Sequence, residues 1–105
     1  MYEESFYKRL TQLRMAKGVS QRAMSMSVGQ SEGYITKMES KVSLPSMRVF
    51  FYICEYLGVT PRDFFDEGND HPEIIRDINS DLLKMNEEQL IRIAAIIKDI
   101  VRGNG

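Results

Sequence analysis

The sequence predicts an all-α fold: five short helices, then a linker and a C-terminal helical pair. Three observations predict it. No period-two alternation of useful length occurs, apolar residues recur at helical spacing along the chain, and helix start and stop signals bound each segment.

Phe6, Leu10 and Leu13 fall at i, i+4 and i+7 and make one apolar stripe, and that first helix stops at Gly18, a left-handed C-cap. Ser20 caps a short second helix, with Val19 and Met24 spaced as a hydrophobic staple. Met24 and Val28 line its inner face and Gly29 ends it. Ser31 is predicted to cap a third helix with Ile35 and Met38 inward. A loop through Ser40-Lys41-Val42-Ser43-Leu44 is closed by Pro45, and Ser46 caps a fourth helix. Its buried face holds Val49, Phe50, Ile53, Cys54 and Leu57, and Gly58 terminates it. Thr60-Pro61-Arg62-Asp63 combines a cap, a proline at the first helical position and an acid at the third, opening a fifth helix that buries Phe64 or Phe65.

Residues 1–66 thus form one domain, and the polar, glycine-containing stretch over 67–71 reads as a linker. Within residues 72–105, Pro72 starts a helix striped by Ile74, Ile78, Leu82 and Met85. Asn86-Glu87-Glu88-Gln89 has the form of a capping box. In the last helix Leu90, Ile91, Ile93, Ala94, Ile96, Ile97, Ile100 and Val101 wrap too far round for a helix exposed to water. It requires a partner. Leu82, Leu90, Ile93, Ile97 and Ile100 are the expected dimerisation residues, with folding back onto Phe51 and Tyr52 as the alternative.

A hydrophobic share of 43% and a charged share of 28% are ordinary for a soluble globular domain. No apolar run approaches the ~20 residues of a membrane span. The acidic start Met1-Tyr2-Glu3-Glu4 lacks the apolar stretch of a secretory signal, and a single cysteine excludes an internal disulfide. A cytoplasmic protein is expected. One His and one Cys make no metal constellation, and no nucleophile–base pair or glycine-rich phosphate cradle appears, so neither a cofactor nor an enzyme is expected. The formal net charge of −1 is not the footprint of a nucleic-acid binder, but it is unevenly spread: +2 over residues 1–66 and −3 over the remainder.

Two short helices joined by a tight glycine turn, followed by a loop and a further buried helix, describe a helix-turn-helix. The run Gly18 to Glu39 (GVSQRAMSMSVGQSEGYITKME) and the run Leu44 to Phe65 (LPSMRVFFYICEYLGVTPRDFF) resemble the Cro/phage-repressor-like (XRE) DNA-binding domains. The features in register include Ser20-Gln21, the Gly29 turn, Ile35, Glu39, Pro45-Ser46, Leu57-Gly58 and Phe64-Phe65, over roughly residues 5–66. The resemblance implies a lambda-repressor-like five-helix domain whose third helix enters the major groove. It implies base contacts by Glu32, Gly33, Tyr34 and Lys37, and phosphate contacts by Gln21, Arg22, Ser31, Lys41 and Ser46. Arg14 and Glu39 match a partly buried structural salt bridge of relatives.

The side-chain chemistry is compatible with these roles. Glu accepts from cytosine N4, Lys donates to guanine N7 and O6, and the Tyr34 ring can meet a thymine methyl. Gly33 reads nothing directly but permits close approach. Two departures from the family pattern stand out. Ser25 replaces a usual Ala while staying small, and Lys41 replaces a common Gly, where a side chain tolerates the left-handed conformation less well and leaves room for a different loop path. His71 reads as a solvated cap residue and Cys54 as inert core. The implied partners are double-stranded DNA with a pseudopalindromic operator and a second copy of the chain, with no membrane. The function expected is transcriptional regulation, with repression the leading form; the alternative is a protein-interaction adaptor or a toxin-binding antitoxin on the same scaffold.

Overall fold

The computed structural model describes residues 2–105, which form seven helices and no strand. The chain divides into two units, one ending at Gly68 and the other spanning Asn69–Gly105.

The first unit holds α1 (Tyr2–Lys17), α2 (Gln21–Ser27), α3 (Tyr34–Glu39), α4 (Met47–Leu57) and α5 (Pro61–Phe64). Local signals bound most of them. Ser20, Ser46 and Thr60 each accept the backbone N–H three residues on, from Ala23, Val49 and Asp63, which satisfies an otherwise unpaired first-turn donor. Phe6, Leu10, Met24, Val28, Ile35, Met38, Phe50, Ile53, Cys54 and Phe64 form the core, so every helix contributes to it. Its centre is aromatic: the Phe64 ring lies 5.4 Å from Phe6 and 5.2 Å from Phe50, edge-on to the latter. Phe64 is the buried member of the pair at 64 and 65, and Phe65 is exposed, as are Phe51 and Tyr52. Leu13, Val49 and Leu57 pack against the core only in part. Arg9 ties α5 to α1 by donating to the main-chain carbonyls of Asp63 and Phe64, where a cation also favours the helix C-terminus.

Two expectations are corrected. Ser31 does not cap the third helix; α3 begins at Tyr34, with Gly33 in the cap position and no side-chain cap of its own. Residues 31–33 form a turn instead, closed by the Tyr34 N–H donating to the Ser31 carbonyl at 3.0 Å. The missing cap comes from another helix. The Ser25 hydroxyl, fully buried on α2, donates to the Gln21 carbonyl at 2.7 Å and accepts the Ile35 N–H at 2.9 Å.

The second correction concerns Lys41, which does not divert the loop. It adopts φ +66°, the left-handed value a glycine would take. The Lys41 N–H reaches the Met38 carbonyl and the Val42 N–H reaches that of Lys37, both at 2.9 Å, so α3 ends in a Schellman motif. The same motif ends α1, α2 and α4, where Gly18, Gly29 and Gly58 hold the position. Holding a lysine there costs of the order of 1 kcal/mol.

The second unit consists of α6 (Pro72–Leu82) and α7 (Glu87–Gly103). Pro72 stands in the first turn of α6, and Met85 lies beyond its end. Asn86 and Gln89 form a reciprocal capping box, at 2.9 and 3.1 Å. No residue of this unit is buried; Leu82, Met85 and Ile93 are half-buried.

Removing the shared hydroxyl in Ser25→Ala leaves the Ile35 N–H buried without a partner. A loss of about 1–3 kcal/mol in urea unfolding is expected. A change within the error of the measurement would show that the α3 amide finds another acceptor.

Candidate nucleic-acid interface

The turn between α2 and α3 and the outer side of α3 carry the candidate contacts, and a polar cluster beneath them fixes their frame. Arg14 on α1 grips the Glu39 carboxylate with two bonds, Nε to Oε2 at 2.6 Å and Nη2 to Oε1 at 3.1 Å. Its remaining Nη1 donates to the Val19 carbonyl at 2.9 Å in the α1–α2 turn. Both side chains are largely buried, at 15% and 8% exposure. Gln21, the first residue of α2, donates its amide N–H to Glu39 Oε1 at 3.1 Å and accepts the Thr36 hydroxyl at 3.0 Å. A carboxylate can only accept, so the amide's orientation is set. Three helices are thereby held to one carboxylate.

Electrostatics follow from that geometry. Burial alone would push the Glu39 carboxyl up. The hydrogen bonds from Arg14 and Gln21, the Arg14 charge and the Thr11 hydroxyl outweigh it, and the net shift is downward. The hydrogen bond to Glu39 likewise raises the Arg14 guanidinium against the opposing cost of burial.

The outward residues are arranged differently from one another. Lys37 is exposed on α3. Tyr34 is half-buried against the core, and that burial raises its phenol pKa. Gly33 has φ −93°, open to any residue, and a Cβ built there meets nothing within 4 Å. Glu32 and Ser31 are exposed in the turn before α3 rather than on the helix. Sequence reasoning missed the contact between two predicted site residues: Arg22 Nε lies 3.2 Å from Glu32 Oε2. The two are ten residues apart with no periodic relation, so no local signal marks the pair. Lys41, beyond α3, pairs with Glu4 at 2.8 Å. Ser46 uses its hydroxyl as the α4 cap and stays exposed.

A helix-turn-helix family model matches residues 10–64, which contain the polar cluster and every candidate contact residue. The chain belongs to the helix-turn-helix family. It is a DNA-binding domain protein of transcriptional regulation, of the XRE type that the sequence motifs indicate. Among solved structures it is similar to the clp gene regulator ClgR from Corynebacterium glutamicum, with 24% identity, 89% of each chain covered and a TM-score of 0.57. That likeness extends over both units and concerns the fold. No curated protein matches the chain. Among the described residues, no helix is long and apolar enough to cross a membrane.

Replacing the carboxylate in Glu39→Gln strands the Arg14 charge, and a loss of about 3 kcal/mol in urea unfolding at neutral pH is expected. Because the folded Glu39 pKa lies below its ordinary 4.5, its contribution is fully present above that value and is lost as pH falls through the folded one. The gap between wild type and Glu39→Gln should therefore close in acid. A gap that stays constant from neutral pH to strong acid would show that the carboxylate's charge is not what stabilises the cluster.

Proposed function

We propose that the protein is a sequence-specific transcriptional repressor that binds a pseudopalindromic operator as a dimer, with α3 in the major groove. The observation that carries this is the division of labour around α3. Its inner residues Ile35, Met38 and Glu39 are tied into the fold, while Lys37 is exposed on it and makes no ion pair among the described residues. Such a side chain is available to donate to guanine N7 and O6. Tyr34 is half-buried, so part of its ring stays accessible at the edge of the core, which supports a contact with a thymine methyl or phosphate. Gly33, whose absent side chain nothing inside the subunit requires, permits close approach to the groove.

Phosphate contacts frame this reading on both sides. The Gln21 amide nitrogen carries two hydrogens and gives one to Glu39, so the other remains for a phosphate. Arg22, Ser31, Lys41 and Ser46 lie exposed in the same unit and complete the proposed set. These contacts position the domain and leave discrimination to α3.

The second unit supports the dimer. Ten of its apolar residues are 39–84% exposed, and exposed apolar surface of this kind marks protein–protein interaction sites. Leu90, Ile93, Ile97 and Ile100 on α7 alternate by three and four residues, the spacing of a helix–helix seam, and Leu82 on α6 adds to it. A second copy is the occupant proposed for that face. The acidic C-terminal third also keeps it from competing for the phosphates.

Selection from a random duplex pool at near-physiological salt tests the reading. The expected product is an inverted repeat with half-sites about ten base pairs apart, its preference relaxed at one position by Lys37→Ala at a cost of about 1–3 kcal/mol. No enrichment, with no duplex binding even at low salt, would remove the regulator reading and favour a protein-binding role. In a separate test of assembly, Ile97→Asp should convert a dimer to a monomer in sedimentation and weaken inverted-repeat binding at least about tenfold. A wild-type chain that sediments as a monomer at micromolar concentration contradicts the dimer.

A further inference from the structure

We propose that Glu32 is a positioning residue that aims the Arg22 guanidinium at a DNA phosphate, and that it is not itself a reader of bases. This rests on the DNA-binding reading above and deepens it at the two residues where an acid faces the nucleic acid.

Comparison of three arginines of the first unit carries the argument. The fold uses both ends of the Arg9 fork, Nε and Nη2 on the main-chain carbonyls of Phe64 and Asp63 and Nη1 on Gln12. It uses Arg14 equally fully, on Glu39 and Val19. Arg22 differs. It lies in an ion pair, Nε 3.2 Å from Glu32 Oε2, and its terminal amines make no hydrogen bond among the described residues. A guanidinium paired to a carboxylate on its Nε side still presents an Nη edge able to take two oxygens of a phosphate.

Position agrees with this. Arg22 is the second residue of α2, next to Gln21, on the helix that in helix-turn-helix geometry crosses the DNA backbone. Glu32 lies in the turn that precedes α3, so it is not on the helix that enters the groove. The pair is exposed, at 72% and 70%, and contributes little to folding. Close to DNA, however, displaced water lowers the local dielectric and strengthens the pull between carboxylate and guanidinium. The same pairing offsets the repulsion between Glu32 and the phosphates. An unpaired acid there would only weaken binding.

Binding to a fluorescently labelled mixed-sequence duplex, followed by anisotropy across a salt series, separates the possibilities, since phosphate contacts act on any sequence. Wild type is compared with Arg22→Ala, Glu32→Ala and the double variant. Arg22→Ala should reduce the slope of log K against log salt by about 1. Glu32→Ala should weaken binding about threefold even though it removes an acid. In the Arg22→Ala background the same Glu32→Ala change should tighten binding, because only repulsion is then removed; this reversal of sign is a coupling that a merely structural role does not produce. Thermal melts of all variants should match wild type.

Tighter binding by Glu32→Ala with Arg22 present overturns the proposal, as does loss of one base preference in the selected operator whether or not Arg22 is present. An unchanged salt slope in Arg22→Ala, with wild type binding normally, overturns it while sparing the regulator reading. A wild-type protein that binds no duplex overturns both.

Discussion

The geometry of the first unit depends on a single carboxylate. Glu39 closes α3, yet it is bonded by Arg14 of α1 and by Gln21 of α2, while Arg14 also holds the carbonyl of Val19 in the intervening turn. An apolar core is non-directional: it would accept α2 and α3 over a range of angles as long as volume was filled. Hydrogen bonds to one carboxylate do not allow that range. Desolvating the pair is costly and is offset only because every polar atom in it is paired. Among the described residues no buried side-chain nitrogen or oxygen is left without a partner. The polar cluster therefore supplies orientation, and the apolar core around the Phe6–Phe50–Phe64 centre supplies the cohesion.

Much of the fold was legible because its signals are local. A serine or threonine cap acts on an amide three residues away, and a left-handed glycine acts on carbonyls of the preceding turn, so Ser20, Ser46, Thr60, Gly18 and Gly58 could be read directly. The start of α3 was misplaced for the complementary reason. Its cap is the Ser25 hydroxyl, contributed by a different helix, and no rule of spacing points to it. The Arg22–Glu32 pair was hidden in the same way, although both residues had been singled out separately. Lys41 illustrates a different failure. The local rule disfavoured a lysine in the left-handed region, but two backbone hydrogen bonds closing α3 outweigh a strain of the order of 1 kcal/mol.

The two units differ in how far each meets its own needs. The first buries an apolar cluster drawn from all five of its helices. The second has a well-formed capping box and two amphipathic helices, yet buries no side chain. Capping and propensity define where a helix begins and ends, but short helices gain most of their stability from packing an apolar face. The second unit leaves Ile97 and its apolar neighbours exposed, whereas the first unit encloses its own core.

The ends of α3 invert what the backbone alone would choose. Position 41, at φ +66°, suits glycine and holds a lysine; position 33, at φ −93° with open space before it, suits any residue and holds glycine. Neither identity is dictated from within the subunit. Position 33 can therefore vary as a contact surface requires while the helix keeps its place, whereas a side chain at position 41 carries a strain that glycine would not.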